Sequence, residues 1–407
     1  MDNLLEGHTR ATVDRMKGKP VVRLLHDSSK FEFSGDRDGL GVTLGKKMGF
    51  FGHFTLALAA DETREPLGIL AASRFIHADA IRNRGLSMEE RKKVSNAKSR
   101  EEKESSRWER QALAAAALVP AGTRAIHMMD QEADDFVLLG ELTRAGLDFV
   151  VRGSRDRITT EGPNVAALLA QTPATVFRSV RLSTRTTKPN GSLNKTRLPR
   201  LEREAHLEIR WGAVSLPKRA RLDYVLDEIN LNAVHVFEPN PPAGQQPIDW
   251  MLFTSELVES LEDATAVVDH YRSRWVIEEY FKALKTGCAI EKRQLTSYDA
   301  LTKALALFIP VAWHMLTLRH LARVEPKRLA TATFDADQLL LLTLMLKQHR
   351  YTLAAAPTVR DVMLGIAALG GHIRNNGDPG WQVLGRGFTR FAEAEQVWRI
   401  ARNYDQS

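Results

Sequence analysis

Residues 271–285 read YRSRWVIEEYFKALK. At about 100° per residue, Tyr271, Arg274, Glu278 and Lys285 fall within a stripe roughly 60° wide, while Val276, Ile277, Tyr280, Phe281 and Leu284 take another face. The pattern predicts a helix that buries one side and aims a phenol, a guanidinium, a carboxylate and an ammonium along the other. Pairs such as Arg274/Glu278 and Glu278/Lys282 also decorate ordinary solvated helices, for about 0.2–0.5 kcal/mol each. The stripe therefore acquires a functional meaning only if Glu278 has partners elsewhere in the chain.

The chain has 407 residues, 43% of them hydrophobic, enough for a large core and more than one structural unit. A lone cysteine, Cys288, excludes a disulfide framework and a cysteine-rich zinc site and suits a reducing cytosol. The opening segment MDNLLEGHTRATVDRMKGKP is polar and does not read as a secretory signal. ALALFIPVAWHMLTL, residues 304–318, contains Pro310 and His314 and is short of a bilayer span, so it is expected to be a buried helix with no membrane partner. The net charge is +7, and its distribution is uneven. Residues 171–222 hold twelve basic side chains against three acidic ones, an excess larger than that of the whole chain, which points to an anionic partner.

PVVRLLHDSS reads as a buried strand that ends in an acid, and GFFGHFTLALAA and PLGILAASRFI complete a three-strand meander across the turn DETREP. A charged helical stretch over 87–118 precedes the short strand TRAIHMMD, the helix ADDFVLLGELTRAG and the buried strand LDFVVRGSRD. Short strand-like runs (ATVFRSVRLS, AHLEIRWGAV, LDYVLDEI, LNAVHVF) follow, separated by turn residues, and they carry the basic window. IDWMLFTSEL is a further strand, and SLEDATAVVDHYRSRWVIEEYFKALKTG a single long helix stopped by Gly287. The expected division is 1–19 as an N-terminal remnant, 20–154 and 250–296 as two parts of a catalytic core, 155–249 as a β-rich insertion and 297–407 as a helical region.

Asp27 and Asp130 each end a buried strand, and Glu278 lies on the polar stripe. Each aspartate alone suits a turn or helix cap. Together, two neighbouring strand ends and a facing helix can gather three carboxylates around hard divalent cations, of which Mg²⁺ is the default, for in-line displacement at phosphorus. His26, His53 and His127 show no close zinc-ligand spacing and read as structural, and there is no GxxxxGK[ST] phosphate loop.

These blocks carry a resemblance. Tyr-x2-Arg-x3-Glu-x6-Lys at 271–285, DQEADDF at Asp130 and LLHDSSKFEF at Asp27 resemble, in order, the signature and aspartate blocks of the insertion sequence four family of transposases, cut-and-paste enzymes with an Asp-Asp-Glu active site. The resemblance implies an α/β fold with a ribonuclease-H-like mixed-sheet core, a β-rich insertion and a helical C-terminal region. It implies that Asp27, Asp130 and Glu278 are catalytic and hold two Mg²⁺ ions, with Mn²⁺ as a substitute. Tyr271, Arg274 and Lys285 would grip DNA phosphates near the cleaved end, Arg152 would contact phosphate, and Trp250 would stack on a flipped base. Arg197, Arg200 and Arg203 in the basic window are expected to bind DNA nonspecifically.

The implied activity is nicking at element ends, hairpin formation and opening, and joining to target DNA. The expected partner is double-stranded DNA, at element ends and target, with a homodimer forming through the C-terminal helices when DNA is bound. The expected location is the prokaryotic cytoplasm, at the nucleoid. Only 26 residues precede Asp27, so most of the family's end-recognition domain is expected to be missing. Two alternatives stand beside this reading: a non-catalytic regulator or decayed remnant forming inactive dimers, and a general metal-dependent nuclease.

Overall fold

The computed structural model describes residues 2–43, 47–76, 87, 89–90, 106–184, 201–220, 222–349, 351–373 and 377–405. In chain order its main elements are α1 (Asp2–Met16), β1 (Val21–Phe33), β2 (Gly41–Val42), β3 (Met48–Ala59), β4 (Pro66–Phe75), α2 (Ser106–Ala116), β5 (Arg124–Met129), α3 (Phe136–Arg144) and β6 (Asp148–Arg152). There follow α4 (Val165–Leu169), β7 (Thr175–Leu182), β8 (Arg203–Pro217), β9 (Glu228–Phe237), β10 (Asp249–Thr254), α5 (Leu261–Ser273), α6 (Trp275–Lys282), α7 (Tyr298–Val324), α8 (Ala336–Leu346), α9 (Val359–Leu369) and α10 (Trp381–Asp405).

β1 organises the sheet. Residues 22–27 are buried without interruption, as a strand covered on both faces requires. It pairs antiparallel with β3, bringing His26 opposite Thr55 and Asp27 opposite Phe54, and parallel with β5, bringing Leu25 opposite Met128. β4 pairs antiparallel with β3, so the expected meander is present. β6 continues parallel to β5, and β10 lies antiparallel to β6. Alternation then distributes side chains to two layers. Val150 joins a large cluster with α5, α6, α7, α9 and α10, while its neighbours Phe149 and Val151 join a second cluster with α2, α3 and α4. Each such buried side chain contributes about 1.5–3 kcal/mol.

The β-rich segment continues the core sheet: β9 pairs with β10, β8 with β9 and β7 with β8, so a ten-stranded sheet runs from the meander to β7. LDYVLDEI is not a strand, since β9 begins only at Glu228, and Tyr224 instead packs edge-on against Phe136.

The N-terminal segment is an integral helix. α1 packs on β4 and α7, with Arg15 4.1 Å over the Trp313 ring and the Ile69 N–H donating to His8 at 3.0 Å. Gly68, at φ +144°, permits this approach, because a Cβ there would lie 2.0 Å from Thr12 Oγ1.

The long signature helix is not continuous either. α5 starts at a Ser260–Asp263 capping box and ends at Ser273, Arg274 is the junction, and α6 passes into a π turn over Ala283–Gly287. α10 buttresses that turn closely: a Cβ on Gly385 would lie 2.1 Å from the Gly287 carbonyl oxygen. The apolar segment 304–318 falls within α7, a helix long and apolar enough to cross a membrane whose Leu301, Leu305, Ile309, Ala312 and Met315 are buried in the core.

Candidate active site

Parallel pairing of β1 with β5 brings Asp27 and the end of β5 to the same side of the sheet. Asp27 is 8% exposed, and its Oδ1 accepts the Ser28 N–H at 2.7 Å. Asp130 follows β5 directly and caps the short turn Gln131–Ala133, accepting the Glu132 N–H at 2.8 Å. Glu278 stands on α6. Arg274, at the helix junction, donates from Nη1 to Asp27 Oδ2 at 2.7 Å and brings Nη2 to 3.7 Å from Glu278 Oε1.

Charge in this group is unbalanced. Burial raises the Asp27 carboxyl to about 7, the Asp130 and Glu278 charges add to the rise, and Arg274 opposes it. Burial works against the Arg274 cation, but Asp27, Tyr271, Asp130 and Glu278 outweigh it and hold the guanidinium above its ordinary range. Asp27, Ser28, Glu278, Lys282 and Lys285 line one cleft of about 280 Å³.

The donor set suits a hard divalent cation, being three carboxylates with no sulfur or imidazole among them. Their present arrangement is drawn onto Arg274: among the described residues no three His, Cys, Asp or Glu side chains converge as a ready metal site. The residues expected to share a metal are thus brought into one electrostatic neighbourhood but not onto one point. A cation would need the face of Asp27 that the guanidinium now holds.

Beside the acids sits a cation–aromatic group. Tyr271 is 5% exposed and packs edge-on to Trp250, with ring centroids 5.5 Å apart, and Arg152 lies 5.7 Å over the Trp250 ring. Burial raises the Tyr271 phenol, while Arg274 and a hydrogen bond with Arg152 pull it back. The projected stripe is corrected here. Tyr271 faces the core, and the π turn shifts Lys285 off a regular helical register, leaving its ammonium 5.3 Å over the Phe31 ring. Burial lowers the Lys285 pKa.

The basic window divides. Arg197 and Arg200 lie outside the described residues. Arg203, expected to contact DNA, is engaged internally, with both terminal nitrogens on Glu238 and side chains 11% and 3% exposed, and it closes β8 onto the end of β9. Arg178 pairs likewise with Asp269 of α5, at 2.9 and 3.3 Å.

Two positions around the acids escaped the sequence reading. Arg107 of α2 donates to Ser28 Oγ at 3.2 Å and to Glu132 Oε2 at 2.9 Å, tying the neighbours of Asp27 and Asp130 together. Asp134 is buried and accepts from Ser154 N, Ser154 Oγ and Arg157 Nε at 2.7–2.8 Å, which anchors the far end of the turn that Asp130 begins. No local signal separates Arg107 from the other cations of a charged helix, or Asp134 from the other acids of DQEADDF. Behind Asp27, His26 and His127 share a 2.9 Å hydrogen bond that links β1 to β5, and His53 bonds Ser28 Oγ at 2.8 Å. Burial pushes all three imidazoles down, His53 to about 3 and His127 to about 4, so they stay neutral.

Among solved structures the chain is similar to a piggyBac transposase in a synaptic complex with hairpin DNA, at 8% identity and a TM-score of 0.35. That match covers 74% of this chain and 48% of the other. The family model described as the transposase DDE domain matches residues 91–309, more than half of the 407 residues, from before β5 to the middle of α7. By that match the chain belongs to the transposase DDE-domain family.

Proposed function

We propose that this chain is the catalytic core of a cut-and-paste DNA transposase of the insertion sequence four type, acting on double-stranded DNA at element ends and at a target. The observation that carries the reading is the cluster of Asp27, Arg274 and Glu278 with Asp130 beside it, at the edge of a cleft that also holds Lys285. The strand order supports a ribonuclease-H-like core, since the antiparallel meander β1–β3–β4 is continued by β5 and β6 parallel to β1.

In this reading Asp27, Asp130 and Glu278 would hold two Mg²⁺ ions, or Mn²⁺ in substitution. Bound there, they would supply charge against the attacking and leaving oxygens at phosphorus. Arg274 and Lys285 would grip phosphates beside the scissile bond, and Arg152 with Tyr271 would fix Trp250 for a displaced base. A first displacement by water breaks one phosphodiester P–O bond and frees a 3′ hydroxyl. That hydroxyl attacks the opposite strand, closing a hairpin and releasing the flanking DNA. Water reopens the hairpin, and the same hydroxyl is joined to target phosphorus, one P–O bond forming for each one broken. A homodimer through the C-terminal helices belongs to the same reading.

The test is cleavage and joining on a plasmid that carries the flanking element ends. Asp27→Ala, Asp130→Ala and Glu278→Ala should each abolish cation-dependent cleavage while circular dichroism and the thermal midpoint stay near wild type. Wild-type cleavage by Glu278→Ala would overturn the site assignment. Cleavage that never yields hairpin or joined product would instead identify a general nuclease.

A further inference from the structure

On α7 and α9, where α7 packs against α6, lies a second concentration of guanidinium groups. Arg319 of α7 stacks on Trp381, its guanidinium carbon 4.4 Å from the ring centroid. Its Nε and Nη1 are buried without a hydrogen-bond partner among the described residues. Arg323, one turn further along α7, and Arg360 of α9 share a single carboxylate, Asp378, at 3.5 and 3.1 Å. Both remain substantially open to solvent, their side chains 45% and 41% exposed. Burial lowers the Arg319 pKa, Arg323 adds to the fall, and Glu279 and Asp378 oppose it, so these groups act on one another. Glu279 adjoins Glu278 and is itself paired with Lys282 at 2.5 Å. Two guanidiniums therefore share the one Asp378 carboxylate, and a third, Arg319, stands one turn away on α7.

Such a patch is costly without a ligand. An unsatisfied buried donor costs about 1–3 kcal/mol, and like charges held together repel. The solvent-open forks of Arg323 and Arg360 offer the two-pronged contact that phosphate accepts. We propose that Arg319, Arg323 and Arg360 form a second phosphate-binding surface, which takes the backbone of duplex DNA as it continues past the catalytic cleft. This rests on the proposed function in requiring DNA as the ligand, and it adds a contact on the C-terminal helices separate from the residues assigned to the cleaved end.

The experiment measures binding of a random-sequence duplex to the full chain by fluorescence anisotropy across a salt series, with a single strand of the same length as a second arm. Each phosphate contact on B-form DNA contributes about 0.9 to the slope of log affinity against log salt. The triple variant Arg319→Gln, Arg323→Gln, Arg360→Gln should lower the duplex slope by about 2 to 3. The corresponding triple lysine variant should keep most of it, because charge is retained. Should the glutamine triple fail to fold, the exposed single variants Arg323→Gln and Arg360→Gln are read instead, each expected to lower the slope by about 0.9. An unchanged duplex slope in folded glutamine variants overturns the proposal and leaves Arg319 on Trp381 as packing alone. A loss confined to the single-strand arm also overturns it, in favour of a strand-binding surface. Absence of any salt-dependent DNA binding by the wild-type chain would instead overturn the proposed function.

Discussion

Replacing Asp27 with Asn in metal-free protein should make stability less sensitive to pH. The folded carboxyl is raised from 3.8 to about 7, chiefly by burial. Between those values the native state binds a proton that the unfolded chain has already lost. The contribution is therefore fully present below about pH 4 and is lost as pH rises through about 7. At about 1.36 kcal/mol per pH unit the whole effect is about 4 kcal/mol, and the part lying between pH 5 and pH 8 is about 2 to 3 kcal/mol. Equilibrium unfolding of Asp27→Asn and wild type in chelator at those two pH values reads it. Any constant offset from exchanging acid for amide cancels in the difference, and the variant should gain relative to wild type by that amount on going to pH 8. A divalent cation added at pH 8 should then stabilise wild type more than Asp27→Asn. If the two proteins keep a fixed stability difference from pH 5 to pH 8, burial does not raise Asp27 and the charge shortfall inferred for the cleft is wrong.

Arg107→Ala should lower cation-dependent cleavage by about 100-fold, as expected for a displacement of about 1 Å at the reacting groups, with partial recovery in Arg107→Lys; equal losses of cleavage and thermal midpoint would make Arg107 a packing residue only. Trp250→Ala should still nick a bound end but accumulate nicked DNA in place of hairpin, since base stacking is worth about 1–3 kcal/mol; parallel loss of both products on a gel would remove the base-stacking role. Arg203→Gln should cost about 1–3 kcal/mol through the stranded Glu238 carboxylate while leaving the salt slope of DNA binding unchanged; a shallower slope in the folded variant would restore Arg203 as a phosphate contact.

The parts of the fold legible in the sequence are those decided locally. Val21, Val22, Leu24 and Leu25 make an apolar run that reads as a covered strand, but the strand does not end at Asp27 as expected: it continues to Phe33, which leaves Asp27 in its middle. The meander follows from two more runs around one turn. What sequence concealed depends on distant partners. β7, β8 and β9 alternate like any half-buried strands, and nothing in them records that β9 pairs with β10 and so fuses the insertion to the core sheet. The helix over 261–287 has no proline or glycine before its end, and nothing local marks its interruption at Arg274 or the π turn from Ala283, which packs against α7 and α10. In the site, spacing identified Arg274 and Glu278 as companions, but only the folded chain places Asp27 against that guanidinium and turns Tyr271 inward. Arg107 and Asp134 act between elements far apart in sequence, so single-residue context could not single them out.

The interruption at Arg274 also explains how the acid cluster is held. α5 is fixed from the β-rich side, where Arg178 of β7 grips Asp269 and Tyr271 lies against Trp250 of β10. The segment beyond the junction is fixed from the other side, where α6 meets α7 and the π turn meets α10. Arg274 lies where these two supports meet, and its guanidinium reaches one acid on β1 and one on α6. The spacing of Asp27 and Glu278 is thus set jointly by the sheet and by the C-terminal helices, which accounts for the insertion and the helical region sharing one core with the catalytic strands. One guanidinium cannot neutralise Asp27, Asp130 and Glu278 together. Burial raises the Asp27 carboxyl to about 7, with the Asp130 and Glu278 charges adding to it, and a bound divalent cation would offset both in the proposed function.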